Sequence, residues 1–485
     1  MEGVRAVASG TSATDDVEKA IRDKCGVVGV VAPAGTEVAP LIAYALRALQ
    51  HRGQESTGIV TQHEGKSVLH RNMGLVENVY TPEVLRTLQG PLGIGHVRYA
   101  TTGGSTIENA QPLLVTSAGG DVALAHNGDI VNSKPLRDEF IAKGWSFLTT
   151  NDTEVALRML AAELATTPNR VKALRNVMKR LSGSYCFTLL IGDTLYAVRD
   201  PLGIKPLCYG SLPGGGFMVA SESTALNVVG GELIRDVEPG EILEVTLDGV
   251  KGFLPEKKAE SAHCMFEYVY FARADSIMDG ATVYDVRVDI GKRLAKEQPA
   301  LADVVIPVPD SGRTHATGYA FASGIPFAEG LMKNRYVHRT FIMPDQKMRD
   351  QGVRMKLNPV KSVIQGKRVV LVDDSIVRGT TMRRIIQMVR DAGATEVHVR
   401  IGSPPITSPC YLGIDMNTRG QLVAAELTIP EICKMIGADS LGYISLEGLT
   451  ESIGKSRSQL CTGCLTGEYP VAIPGEKQRG QATLF

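Results

Sequence analysis

Apolar positions between residues 25 and 401 fall into short runs and helical repeats whose order changes once along the chain. CGVVGVVA, from Cys25, is valine-rich and too short for a helix, which predicts a buried strand. Val38, Leu41, Ile42, Ala45, Leu46 and Leu49 then recur at helical spacing and predict an amphipathic helix over residues 36–50. The octet HRGQESTG at 51–58 carries too much charge and glycine for a core element and predicts a loop turning back over a site. Strands are predicted at 93–97 and 122–126, helices at 153–165 and 169–181, and strands at 184–191, 194–198, 217–220 and 241–245. Strands, two helices and strands again describe a layered α+β domain to about residue 260.

After Cys264 the pattern alternates. A helix over 284–296, a strand over 304–308, a helix from Thr314, a strand over 368–373, a helix to Ala392 and a strand over 396–401 predict a doubly wound parallel sheet. The ligand of such a sheet belongs beyond the strand C-termini, where PDSG (309–312) and DDSIVRGTT (373–381) both fall. Asp373 and Asp374 close an apolar β-branched run, and Ser375, Arg378, Gly379, Thr380 and Thr381 lead into the next helix. Backbone N–H groups exposed at such a helix start attract an anion. A phosphate held there beside two carboxylates suits a sugar phosphate that recruits Mg²⁺. Two exposed acids on an ordinary strand-to-helix turn are the plainer reading of DD alone. The full VVLVDDSIVRGTT is more specific, and it resembles the fingerprint of the type I phosphoribosyltransferases. Residues 334–358, rich in Arg, Lys, Gln and Met without clean periodicity, are either a lid or a charged surface loop.

Composition narrows the partners more than the fold. Lys plus Arg and Asp plus Glu both number 52, so no nucleic acid or membrane surface is implied as a partner. Residues 1–24 lack an apolar h-region and contain Asp15, Asp16, Glu18 and Asp23, which argues against a targeting peptide and for a cytoplasmic protein. In that compartment the eight cysteines are read as buried hydrophobes, nucleophiles or metal ligands rather than disulfides.

Cys25 by itself is most simply a small buried hydrophobe. Its company changes that reading: HRGQESTG, GHVRYATTGG (95–104), HNGDI (126–130) and NDTE (151–154) follow in the same domain. Together these resemble the glutamine amidotransferases of the N-terminal-nucleophile hydrolase family, in which cleavage leaves a cysteine first. The resemblance implies a propeptide at 1–24 and an αββα sandwich over 25–262. It assigns Cys25 as nucleophile and Asn127 with the Gly128 N–H as oxyanion donors. It also assigns Arg98 to the glutamine α-carboxylate and Asp152 to its α-ammonium. A free α-amino group titrates near neutrality, which explains why the nucleophile would come first.

LCTGCL places Cys461 and Cys464 in a CxxC that alone fits zinc, redox chemistry or an iron–sulfur ligand pair. Cys264 in CMFEYVYFARADS and Cys410 in PPITSPCYLGID lie in segments resembling the iron–sulfur subset of the amidophosphoribosyltransferases. That resemblance implies a four-iron four-sulfur cluster on Cys264, Cys410, Cys461 and Cys464, with zinc as the competing occupant. Cys186, Cys208 and Cys433 read as buried cysteines. The likeness runs from CGVVG to LCTGCLTGEYP. It implies an α/β phosphoribosyltransferase domain over 263–470 with a parallel sheet, and a tail over 471–485. Ser311, Asp373 and Asp374 fall on the family's Mg²⁺ positions, Gly312 on its pyrophosphate loop, and residues 375–381 on its 5-phosphate turn. Glutamine and phosphoribosyl pyrophosphate are the implied substrates, purine nucleotides the implied feedback inhibitors, and a homotetramer the implied assembly. Two other readings stay open: an amidotransferase aminating fructose 6-phosphate, and a non-catalytic nucleotide- or RNA-binding regulator.

Overall fold

The computed structural model describes residues 25–99, 104–117, 120–334, 357–416 and 418–476. The expected propeptide at 1–24, almost all of the 334–358 segment and the end of the tail lie outside the described residues. In the first half the strands in chain order are β1 (Gly26–Val31), β2 (Ser56–His63), β3 (Lys66–Met73), β4 (Leu92–Arg98), β5 (Leu113–Ser117), β6 (Gly120–Ile130) and β7 (Gly183–Ile191). They continue with β8 (Thr194–Arg199), β9 (Cys208–Ser211), β10 (Phe217–Ala220), β11 (Glu232–Asp236), β12 (Ile242–Thr246) and β13 (Gly249–Phe253).

These strands make two antiparallel sheets, ordered β11-β9-β10-β1-β4-β2-β3 and β13-β12-β8-β7-β6-β5. Apolar residues of both sheets, among them Val27, Ile94, Ala125, Cys186 and Leu195, meet in one buried layer. The helix Val38–Ala48 packs its Ile42 and Leu46 on the outer face of the first sheet. Helices Asp152–Thr166 and Arg170–Met178 cover the second through Leu160, Leu174 and Val177. The result is the predicted αββα sandwich.

The second half is built on a parallel sheet in which Arg368–Asp373 lies between Val304–Pro307 and Glu396–Ile401, with Ser440–Tyr443 at the far edge. Val304–Pro307 and Arg368–Asp373 are buried almost throughout, as a parallel sheet covered by helices on both faces requires. Helices Val283–Glu297 and Gly312–Ser323 cover one face, Thr380–Asp391 and Ile429–Ile436 the other. The predicted elements of this half are all present, with the 314 helix starting two residues early at Gly312.

In the first half an expectation fails. The 51–58 octet is not a loop: Gln50–Arg52 form a turn of 3₁₀ helix and Ser56 opens β2. Arg52 is fully buried, because carboxylates from elsewhere in the chain neutralise it. A charged residue enters a core when it is paired there.

The two halves share apolar packing. Ile204, 1% exposed and N-terminal to the expected boundary at 262, packs into the same cluster as Tyr268, Ile290 and Tyr319. Ile204→Ala is expected to cost about 2–5 kcal/mol in urea unfolding. A loss below about 0.5 kcal/mol, the size of an ordinary surface change, would show that this packing does not hold the halves together.

Candidate active sites

Cys25 begins the buried edge of β1, where antiparallel register sets Gly26 opposite Val97 of β4 and so brings Cys25 beside Arg98. Its backbone N–H donates to the Arg52 carbonyl at 3.0 Å, and its thiol lies 3.9 Å from the Tyr99 carbonyl. Cys25 has φ +83°, a left-handed conformation sparsely populated by non-glycine residues. Arg98 is 2% exposed and donates to the Gly104 carbonyl at 3.3 Å.

Asn127 and Gly128 lie in β6, with Asn127 opposite Cys186 of β7. Asn127 is fully buried, and among the described residues neither its Nδ2 nor its Oδ1 finds a hydrogen-bond partner. An orphaned buried amide is costly, so this one points to a partner that arrives from outside. Gly128 has φ +144°, and a Cβ there would run into the Ser184 carbonyl, so only glycine fits. Asp152 opens the helix Asp152–Thr166 and accepts the Ile130 N–H at 2.9 Å, with His126 Nδ1 3.7 Å away. Burial works against its charge, yet His126 and the backbone donors of Ile130 and Thr153 hold its carboxyl below the usual range.

Sequence reasoning missed the buried charges around Arg52. Its guanidinium bonds Glu222 through Nε and Glu267 through Nη2, the latter at 2.7 Å. Lys205, also fully buried, reaches Glu267 at 3.1 Å, and His51 reaches Glu222 at 2.6 Å. Ser276 Oγ and the Arg273 N–H close on the second Glu222 oxygen at 2.5 and 2.9 Å. Burial alone would raise the Glu222 carboxyl, but Arg52 and His51 outweigh it and hold it far below the usual range. The available signal was a single charge inside an apolar run, as with Glu267 in MFEYVYF and Lys205 in PLGIKPL.

In the second half Asp373 and Asp374 end the central strand, both nearly buried. Ser311 Oγ donates to Asp373 Oδ1 at 3.4 Å, and Ser375 Oγ to Asp374 Oδ2 at 2.6 Å. Gly312 follows Ser311 at a helix start so close to this strand that a Cβ would meet the Val372 carbonyl. Gly379, at φ +77°, caps the helix Thr380–Asp391, leaving the first backbone N–H groups of that helix for an anion. Burial, and then the charge of Asp374, push the Asp373 carboxyl well above its ordinary range. Ser311, Gly312, Asp373 and Asp374 are thus brought together, with residues 375–381 directly adjoining.

The four cluster candidates also converge. His263–Cys264 pairs in parallel with Leu460–Cys461, setting Cys264 opposite Cys461. Burial raises the Cys464 thiol, and the charges of Cys410, Cys461 and Cys264 raise it further. Cys461 is pushed up to about 12, chiefly by burial. The Leu412 N–H donates to Cys410 Sγ at 3.4 Å. Among the described residues no group of three or more His, Cys, Asp and Glu side chains is drawn close around a single ion position. None of the eight cysteines forms a disulfide; Cys186 and Cys208 are buried, while Cys433, on the outer helix Ile429–Ile436, is partly exposed rather than buried as expected.

Sheets and sites define a two-domain enzyme, an N-terminal-nucleophile hydrolase sandwich followed by a type I phosphoribosyltransferase fold. The glutamine amidotransferase domain family matches residues 96–228 and the phosphoribosyl transferase domain family residues 288–401. The chain is 52% identical to the amidophosphoribosyltransferase of Methanothermobacter thermautotrophicus, over 95% of this chain and 97% of that one. It is likewise 52% identical to that of Methanocaldococcus jannaschii, over 94% and 100%. Among solved structures, the glutamine phosphoribosylpyrophosphate amidotransferase from B. subtilis complexed with ADP and GMP superposes with a TM-score of 0.87. It shares 44% identity and covers 93% of this chain and 99% of its own. The chain belongs to the amidophosphoribosyltransferase family. A phosphoribosyl transferase domain in the second half also removes the sugar-aminating alternative, which requires isomerase domains in its place.

The acid pair has a measurable consequence. A carboxyl whose folded pKa is raised keeps its proton where the unfolded chain, at about 3.9, has lost it, so folding is progressively weakened as pH rises from about 4 toward the raised value. Asp373→Asn is therefore expected to melt higher than the parent at pH 7 without Mg²⁺, with the difference vanishing near pH 4. A lower melting temperature at pH 7 would show that Asp373 is held by contacts rather than strained by charge.

Proposed function

We propose that the chain hydrolyses glutamine at Cys25 and transfers the ammonia to phosphoribosyl pyrophosphate. The products are 5-phosphoribosylamine, glutamate and pyrophosphate, in the first committed step of de novo purine (IMP) biosynthesis. The observation that carries this reading is one chain holding a cysteine at a sandwich strand start, an orphaned amide on a facing strand, and a buried acid pair at a parallel strand end.

Removal of residues 1–24 would leave Cys25 with a free α-amine, which titrates near neutrality and serves as the thiol's own base. Cleavage would also relieve the left-handed φ, a strain of about 1–3 kcal/mol, because an N-terminal residue has no preceding carbonyl to clash with. The Arg52 carbonyl fixes one amine N–H and so orients the amine toward the thiol. Attack on the glutamine amide builds an oxyanion for which Asn127 Nδ2 and the Gly128 N–H are the donors. Arg98 would clamp the substrate α-carboxylate and Asp152 its α-ammonium by charge-assisted hydrogen bonds.

At the acceptor site Ser311 and Gly312 present a backbone nest to pyrophosphate. Ser375, Arg378, Gly379, Thr380 and Thr381 take the 5-phosphate at the helix start. The residues fit Mg²⁺: the half-buried Ser311 and the nearly buried Asp373 and Asp374 form an all-oxygen set, and the ion would neutralise the departing pyrophosphate. Asp373 and Asp374 then face a ribose ring that gains positive character as the pyrophosphate leaves, which their charge favours. Ammonia must stay unprotonated between the sites, which asks for a closed passage; residues 334–358 are the proposed lid.

Cys264, Cys410, Cys461 and Cys464 are proposed to hold a four-iron four-sulfur cluster. An all-thiol set with one N–H···S bond and mutually raised thiols suits it, since bound metal is what lets such thiols ionise. Its role is structural, joining residues 460–464 to the domain junction. The described residues contain no helix long and apolar enough to cross a membrane, and eight cysteines outside any disulfide suit the cytoplasm. Purine nucleotides, such as those bound in the B. subtilis structure, are the proposed feedback inhibitors, acting on a homotetramer.

With processed protein, glutamine, Mg²⁺ and phosphoribosyl pyrophosphate, glutamate and pyrophosphate should appear in equal amounts. Cys25→Ala should lose glutamine use yet keep reaction with added ammonia; loss of both would refute separable sites. Intact mass should show a mature N-terminus at Cys25, and a full-length active enzyme would reject the propeptide. Brown absorbance with acid-labile sulfide is expected, whereas a colourless zinc protein would reject the cluster.

A further inference from the structure

A serine outside both sets of proposed reacting groups joins the Cys410 turn to the strand carrying Asn127 and Gly128. The Cys410 turn is closed on itself: the Cys410 N–H donates to Met416 O and the Met416 N–H to Ile414 O, both at 2.9 Å. Leu412, inside this turn, bonds in two directions. Its N–H donates to Cys410 Sγ at 3.4 Å, and its carbonyl accepts the Ser184 hydroxyl at 2.9 Å. Ser184 is a fully buried residue of β7, and its oxygen in turn accepts the Asp129 N–H at 3.1 Å. Asp129 is the residue after Gly128. The same turn also backs directly onto the glycine: a Cβ on Gly413 would stand 3.5 Å from Gly128 Cα. Leu412 and Ile414 are buried in the core of the second half, so the turn is anchored there.

A hydroxyl that donates to one segment and accepts from another has both directions fixed, since it carries a single proton. Here the acceptor of that proton belongs to the phosphoribosyltransferase half and the donor to the lone pair belongs to the glutaminase half. The backbone at 128–129 is therefore gripped by a group whose orientation is set by the Cys410 turn. Oxyanion stabilisation depends on donors fixed in advance at the right place, and a misplacement of about 1 Å can cost 100-fold.

We infer that Ser184 is a positioning residue of the glutaminase site, holding the Gly128–Asp129 backbone for the oxyanion and making that hold depend on the Cys410 turn. The inference rests on the proposed oxyanion role of Asn127 and Gly128. Ser184→Ala removes the bracket while leaving the sheet ladder of β6 and β7. Gly413→Ala disturbs it from the other side, since the added Cβ meets both Gly128 and Lys205 at φ +105°. Thr188→Val is the matched control: Thr188 is buried on the same strand, and its hydroxyl has no partner among the described residues.

For the processed two-domain protein, kcat and KM are measured with glutamine and with ammonium chloride, alongside amide hydrogen exchange of a peptide covering 122–131. Ser184→Ala should lower kcat for glutamine about 10- to 100-fold with KM changed less than about threefold. Its ammonia-dependent rate should be unchanged, and exchange over 122–131 should quicken. Gly413→Ala should show the same split, and Thr188→Val should match the parent. Parallel loss of both activities, a change confined to KM, or parent-like kinetics in Ser184→Ala would overturn the inference. Should Ser184→Ala fail to fold, Gly413→Ala alone decides by the same criteria. Asn127→Ala separates the levels. Undiminished glutamine turnover there removes the underlying reading, whereas an inactive Asn127→Ala beside parent-like Ser184→Ala and Gly413→Ala removes only the role given to Ser184.

Discussion

The interaction on which most of this structure depends is the burial of Arg52 between Glu222 and Glu267. With Lys205 it makes a network of two cations and two carboxylates, all within a few per cent of full burial, plus His51 at the rim. Such a network adds little net stability over an apolar core, but removing any one member strands a charge and costs about 3–5 kcal/mol. It is therefore a registration device more than a source of stability. Glu222 lies in the sandwich and Glu267 just beyond the expected 262 boundary, so moving the halves apart would unpair Arg52. The carbonyl of the same residue takes the Cys25 N–H. The position of the proposed nucleophile thus depends on an ion pair that spans the domain junction.

The proposed acceptor site is built on the opposite electrostatic principle. Where the Arg52 network is balanced, Asp373 and Asp374 are adjacent and nearly buried, and they accept from the Ser311 and Ser375 hydroxyls and the Asp374 N–H. The result is a raised Asp373 carboxyl and a site made more comfortable by a cation. An anion cradle at the Thr380 helix start sits directly beside it. A ligand that combines phosphate groups with a bound divalent ion satisfies both features together, while either one alone leaves the other unmet.

Period and punctuation made the frame legible. Residues 36–50, 184–191 and 368–373 show clear helical or strand patterns, and all three became elements within one or two residues of expectation. Strands such as Lys66–Met73 and Gly249–Phe253 were not legible, because they lie at sheet edges where neither face needs to be apolar. The site residues were legible through motif resemblance, and the register of β1 with β4 and the strand end at Asp373 explains geometrically why those motifs converge. The Arg52 partners were not legible. Glu222 and Glu267 stand 170 and 215 residues from Arg52, and no local pattern records a pairing of that range. The same reason turned HRGQESTG from an expected loop over a site into a turn and a strand with Arg52 buried.

Both half-sites lean on one short segment. Glu267 begins the helical turn Glu267–Phe271, and Arg287, itself buried, donates to the carbonyls of Tyr268 at 2.7 Å and Ala272 at 2.7 Å. Burial lowers the Arg287 guanidinium to about 10, while the charges of Asp374 and Glu222 pull it the other way. The segment between the two arginines is thus held at its start by Arg52 and Lys205 and at its end by Arg287, which feels carboxylates of both sites. A cation placed at Asp374, or a loss at Glu222, would each remove part of the favourable charge that Arg287 feels. For chemistry in which ammonia freed at one site must meet an acceptor at the other, this arrangement makes independent drift of the two sites costly. Arg287 and its hydrogen bonds lie in a low-dielectric interior, where a change in one charge is felt by its neighbours rather than screened.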